Sequence, residues 1–195
     1  MSHRIKNIFA VVTSLITLSA KGDPHAQGFA QTVRQRIEAL ARAHDYVRPD
    51  HRANAATNHT ARTIHGLLAT IISPFQDAAE QRIMVHGDDC PIGLDTATAL
   101  ALILHELATN AVKYSALSSD SGHVAVRCNV TAESFSLRWI ETGGPPVTGE
   151  RDHHDFGTVM AERAIKAQLG AATQRHWNTD GLAMDITIPV KNLLR

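Results

Sequence analysis

Residues 99–117 read ALALILHELATNAVKYSAL. At 100° per residue, Leu100, Ile103, Leu104, Leu107, Ala111 and Tyr114 fall on one side of a helix, predicted from about Asp95 to Ser115. Glu106, Asn110 and Lys113 fall within an arc of about 60° on the other side, with His105 and Thr109 beside them. Three polar groups stacked at i, i+4 and i+7 fit a solvated face with a Glu-to-Lys ladder. As a pattern alone that reading is favoured, and a chemical site is the alternative.

In the chemical reading the Asn110 amide oxygen ligates Mg²⁺, Lys113 neutralises phosphate charge, and Glu106 orients or deprotonates a group. Mg²⁺ keeps waters and phosphate oxygens around it, so one protein ligand is sufficient. Downstream, LRWIETGGPPV (Leu137–Val147) ends a strand at Glu141 beside Gly143. A carboxylate there can accept from an amino group such as that of adenine, with glycine allowing close approach; an ordinary Gly-Pro turn fits as well. In DFGTVMAERAI (Asp155–Ile165), Gly157 and Thr158 open a helix whose free N–H groups suit phosphate, or simply mark its start. The polar stretch between, with Gly149, Glu150, Arg151, Asp152, His153 and His154, has the composition of a mobile lid.

The N-terminus, MSHRIKNIFAVVTSLITLSAKG, is either a signal peptide or an amphipathic helix. Ile5, Ile8, Phe9, Val12, Leu15 and Ile16 share about a third of the helix circumference, opposite His3, Lys6, Asn7, Ala10, Thr13, Ser14 and Thr17. A secretory h-region needs hydrophobicity rather than a polar stripe, so the helix is preferred. Gly22-Asp23-Pro24 ends it and starts a second helix over Ala26–Val47. The two form a hairpin that cannot cover both apolar faces alone, so a four-helix bundle on dimerisation, or packing on another domain, is expected. After the polar turn Arg48–Asn54 come a helix (Ala61–Pro74) and a short strand (Arg82–His86). Paired strands (Val124–Val130, Phe135–Glu141), a helix (Thr158–Leu169) and closing strands (Ala172–His176, Leu182–Pro189) complete an α+β arrangement: an antiparallel or mixed sheet with helices on one face.

Nineteen basic residues balance nineteen acidic ones, which argues against a nucleic-acid partner. The twelve histidines, among them His51, His59, His65, His153 and His154, lack ligand spacing. Cys90 and Cys128 form no CxxC pair, which fits a reducing compartment, and a cytoplasmic location is expected. No apolar run reaches the roughly 20 residues of a membrane span.

Taken in order, HRIKN (His3–Asn7), HELATNAVKYSAL (His105–Leu117), Trp139-Ile140-Glu141 with Gly143-Gly144-Pro145, and FGT (Phe156–Thr158) resemble the core of an HWE-family sensor histidine kinase. The family's letters refer to the histidine of the HELATN segment and to the WxE motif, here His105, Trp139 and Glu141. The resemblance implies a dimerisation and phosphotransfer hairpin over residues 1–50, a linker over 51–60 and a Bergerat-type α/β-sandwich ATP-binding domain over 61–195. It implies that His3 is phosphorylated from Mg-ATP and passes the phosphoryl group to an aspartate of a response-regulator receiver. Asn110 would bind Mg²⁺, Lys113 would contact phosphate and Glu141 would read adenine, with Gly143 allowing its approach. Gly157 and Thr158 would support lid and phosphates, Gly181 would sit in the last nucleotide-binding turn, and His105, Tyr114 and Trp139 complete the expected cofactor-binding set.

An exposed histidine of ordinary pKa is largely neutral near pH 7, as a nucleophile must be. The residue after His3 is Arg4 where many histidine kinases carry an acid, so Glu106 is the candidate base. Asp155 replaces the glycine expected before Phe156. A sensor is expected upstream of the hairpin. Two other readings stay open: an ATP-independent histidine phosphotransferase with a degenerate nucleotide fold, and an anti-sigma factor or serine kinase on the same fold.

Overall fold

The structure is a computed structural model that describes residues 2–48, 62–76, 80–146 and 156–195. The expected linker (51–60), the first residue of the expected third helix (Ala61), the lid segment with Asp155, and His51, His59, His153 and His154 lie outside the described residues.

Two long helices come first, α1 (Ser2–Ser19) and α2 (Pro24–Val47). Asp23 caps α2, its carboxylate accepting from the N–H of His25 at 2.9 Å, and Pro24 sits where its missing N–H costs nothing. The helices pack as a hairpin through the edge contact of Phe9 with His44 and the ion pair of Lys6 with Asp45 at 2.9 Å. That pair is half exposed and contributes at most about 1 kcal/mol. The apolar stripe of α1 is left largely open: Ile8, Leu15 and Leu18 are 57%, 58% and 63% exposed.

The rest is a five-stranded sheet with helices on one face. Strands β1 (Ile83–Gly87), β2 (His123–Val130), β3 (Ser134–Thr142), β4 (Ala172–Asn178) and β5 (Gly181–Pro189) lie in the order β1-β2-β3-β5-β4. Only β1 and β2 run parallel, so the sheet is mixed. Register lines up Val126, Trp139 and Met184 across three strands, all fully buried. One residue along, Arg138 faces Asp185 on the other side at 3.5 Å, the period-2 alternation of a sheet covered on one face.

Against the buried face lie α3 (Ile64–Ile72), α4 (Leu94–Tyr114) and α5 (Phe156–Leu169). The third helix starts at Ile64 because Thr63 caps it, accepting from the N–H of Gly66, and five of its nine residues are buried. In α4 the early N–H groups find the carbonyls of Leu193 and Arg195, so a helix with no capping side chain still begins paired. α2 in turn packs on α4, and Tyr46 near its end is locked to Thr63: its hydroxyl donates to the Thr63 carbonyl at 3.2 Å and accepts from the Thr63 N–H at 3.0 Å. Among the described residues no helix is long and apolar enough to cross a membrane.

Candidate functional site

The polar arc of α4 meets solvent mainly at its far end, where Lys113 is exposed. It faces α2 and the start of α5, and with them forms a cleft of about 240 Å³. His105, Glu106, Thr109, Asn110, Lys113 and Tyr114 line one wall, Phe29, Thr32, Gln35 and Arg36 of α2 form the other, and Gly157 closes it. Asn110 reaches α5, its side-chain nitrogen donating to the buried hydroxyl of Thr158 at 3.4 Å. That bond uses the end of the amide a cation cannot use. Lys113 and the half-exposed Tyr114 stand at the rim.

Of the two readings of this face, the solvated ladder fails at Glu106. Glu106 is only 6% exposed, and the Arg36 guanidinium grips its carboxylate with two parallel bonds, Nε–H to Oε1 at 2.7 Å and Nη2–H to Oε2 at 3.0 Å. This fork is the strong form of an ion pair, and breaking it by removing one partner strands a buried charge. Arg36 was not among the residues singled out by sequence. Nothing in the arginines of α2 distinguishes it until the fold brings it against a partner 70 residues along the chain.

His105 is buried against the ring of Phe75, with centroids 5.6 Å apart. Burial drives its imidazole down to about 4, opposed by Glu106 and reinforced by Arg42, Arg36 and Lys113, so it is neutral at pH 7. Its Nδ1 and the Thr109 hydroxyl are enclosed without hydrogen-bond partners. These are polar atoms that a bound polar molecule would satisfy.

A second cluster forms where β3 ends. Trp139, expected among the nucleotide contacts, is instead fully buried in the core, and its indole N–H donates to Glu141 Oε1 at 2.9 Å. Trp139 and Glu141 share a sheet face because they are two residues apart. Burial raises the Glu141 carboxyl above the usual range, partly offset by Ser115, Trp139 and the backbone of Ala116 and Leu182. Oε2 nonetheless has no hydrogen bond of ordinary geometry, so it is the acceptor left for another donor. Gly143, at φ +74°, also packs against another turn of the chain: a Cβ there would meet Ser121 and Gly122, both about 3.1 Å away. Gly181, at φ +148°, lies against the Glu141 carbonyl, where a Cβ would come within 2.6 Å. Its role is to let the β4–β5 turn press on the strand carrying Glu141.

Both clusters sit along the last turns of α4, since Glu141 lies beside Ser115 and Ala116 at that helix's end. His3 lies in the first turn of α1. Arg82 was also missed by sequence: its guanidinium donates to the carbonyls of Gly122 at 2.9 Å and of Ser119, fixing the loop after α4. Among the described residues no three of His, Cys, Asp and Glu gather around one point, so a divalent cation would depend on Asn110 and on oxygens that a ligand brings.

Residues 1–89 match the HWE histidine kinase family. The chain is 35% identical, over 97% of its length, to blue-light-activated histidine kinase 1 of Erythrobacter litoralis, and covers 52% of that protein. It thus spans about half the length of the curated relatives it matches. In fold it is similar to the histidine kinase domain from Erythrobacter litoralis EL346, with a TM-score of 0.60 at 21% identity, over 94% of this chain and 86% of that one. It is also similar to histidine kinase ThkA solved in complex with response regulator protein TrrA, with a TM-score of 0.51 at 14% identity, over 96% of this chain and 59% of that one. The helical hairpin and helix-covered mixed sheet thus have the fold of histidine kinases, and residues 1–89 carry the match to the HWE histidine kinase family.

Proposed function

We propose that this chain is an ATP-dependent protein histidine kinase core that phosphorylates His3 and passes the phosphoryl group to a receiver aspartate. The observation that carries the reading is the convergence of Asn110, Lys113, Gly157 and, through Asn110, Thr158 on one cleft from two helices. Asn110 would hold Mg²⁺ through its amide oxygen, and the metal, when bound, would offset phosphate charge. Lys113 neutralises phosphate at the rim, and Glu141 Oε2 accepts from the adenine amino group. A neutral ring nitrogen of His3 attacks the γ-phosphorus, the bond to the ADP oxygen breaks, and the ring N–H proton leaves to a base. Glu106 can serve as that base only once Arg36 releases it. A receiver aspartate then attacks the phosphohistidine, and the imidazole leaves. The open stripe on α1 is the surface a second copy of the hairpin would cover.

Incubation with γ-labelled Mg-ATP tests the reading. Acid-labile label on the native chain, lost in His3→Ala and in Asn110→Ala, is expected. Acid-stable label would point to a serine kinase. The phosphotransferase reading draws on the cover that α2 places over the cleft, whose volume is below the roughly 300 Å³ of an ordinary small-ligand site. It would be established by a folded chain that takes no label from ATP but accepts phosphoryl from a phosphorylated receiver.

A further inference from the structure

The ion pair of Arg36 and Glu106 rests directly on Gly157, at the N-terminal end of α5. A Cβ built on Gly157 would overlap both the Arg36 guanidinium and the Glu106 carboxylate. The carboxylate thus lies against two features that suit an oxyanion: a bidentate guanidinium and the first turn of a helix of 14 residues. The same cleft holds the buried His105, whose Nδ1 has no partner. We propose that the Glu106 carboxylate occupies the place of the nucleotide's terminal phosphate on Arg36, and that an incoming triphosphate displaces it and takes Arg36 as a phosphate ligand. This deepens the kinase reading and rests on it.

The chemistry makes the exchange close to balanced. Carboxylate and phosphate both present paired oxygens to the planar guanidinium fork, and phosphate carries the larger charge. Glu106, once displaced, remains in a polar cleft lined also by Thr32, Gln35 and Thr109. Two consequences follow. Arg36, a residue of the hairpin, becomes part of the nucleotide site, so the phosphate tail of ATP is read by both halves of the chain at once. Glu106 becomes a built-in competitor of the nucleotide, and its release coincides with arrival of the phosphate.

A purely structural ion pair and a displaceable one differ in the sign of their mutational effects. The test is calorimetric titration of the full chain with ATP and with ADP in Mg²⁺, with folding checked by thermal melting. Arg36→Gln is expected to weaken ATP about tenfold and ADP much less, as loss of one charged contact would. Glu106→Gln is expected to tighten ATP about threefold or more, since the neutral amide competes poorly for the guanidinium. The double variant, Arg36→Gln with Glu106→Gln, leaves no stranded buried charge. It should fold like the native chain and still bind ATP as weakly as Arg36→Gln.

Recovery of native affinity in the double variant would overturn the proposal, as would weakening of ATP by both single variants or equal effects on ATP and ADP. Asn110→Ala separates the two levels of the argument. If the native chain binds ATP and Asn110→Ala does not, while the Arg36 and Glu106 variants behave as a structural pair, the exchange fails and the kinase reading stands. A folded native chain that binds no ATP would bring down both.

Discussion

The two halves of this chain are stabilised in different ways. The sheet domain encloses its own core: α4 alone buries twelve residues, and the sheet contributes Val126, Phe135, Leu137, Trp139, Met184 and Ile186 from one face. The hairpin has no comparable interior. α1 exposes six large apolar side chains from Ile5 to Leu18, and α2 borrows its burial from α4 and α3 through small residues such as Ala39 and Ala43. The sheet domain supplies most of its own core, while the half that carries His3 depends on what it leans against. Such an arrangement would suit the role proposed for His3, because weakly held elements are the ones that can move.

The contrast can be broken most directly at the core. Leu104→Ala removes a fully buried side chain beneath the polar arc and should cost about 3 kcal/mol in denaturant unfolding. Preservation of native stability would mean that α4 is not the centre of the core.

Acid should act on the same region with nearly the same size. The His105 imidazole titrates near 4 in the folded chain against an ordinary 6.5, so the unfolded chain takes up its proton first as pH falls. The resulting stability is present above pH 6.5 and is lost on the way down to pH 4, by about 3 kcal/mol. Glu141 works in the opposite sense, because a raised carboxyl loses its contribution as pH rises through the raised value. The measurement is therefore the difference in pH slope between the native chain and His105→Gln, which should be flatter. Identical slopes would show that His105 is not the buried neutral group.

Between the halves, Tyr46→Phe removes both hydrogen bonds to Thr63 and should cost about 1–2 kcal/mol. Hydrogen exchange is expected to quicken in the end of α2 and hardly change in β3. Uniform quickening would mean that the halves unfold as one unit. The smallest effect belongs to α1, where Leu15→Ala at a 58% exposed position should change stability by less than about 0.5 kcal/mol at low protein concentration. A larger loss that grows with concentration would reveal a second copy covering the stripe.

Much of this was legible in the sequence. The 3.6-residue period marked α1, α2 and α4, and the period of two marked β2, β3 and β5, since backbone geometry alone fixes which residues share a face. The break at Gly22-Asp23-Pro24 located the hairpin turn for an equally local reason, an N-cap followed by a tolerated proline. The gathering of Asn110, Lys113 and Gly157 in one site was implied by the family resemblance of the HELATN and FGT segments. The environment of each residue did not follow. Trp139 and Glu106 have polar groups that suit a ligand, and both turned inward because a partner was waiting there, Glu141 for one and Arg36 for the other.

The sequence by itself determined the order of helices and strands, the apolar face of each, and the residue types able to handle a phosphate and its metal. Only the tertiary structure decided that α2 would cover the polar face of α4, that Arg36 would hold Glu106 across 70 residues, and that Gly143 and Gly181 would sit close against neighbouring backbone. The physical reason is that periodicity specifies which side of an element must leave water, whereas the partner that replaces the water is set by long-range packing.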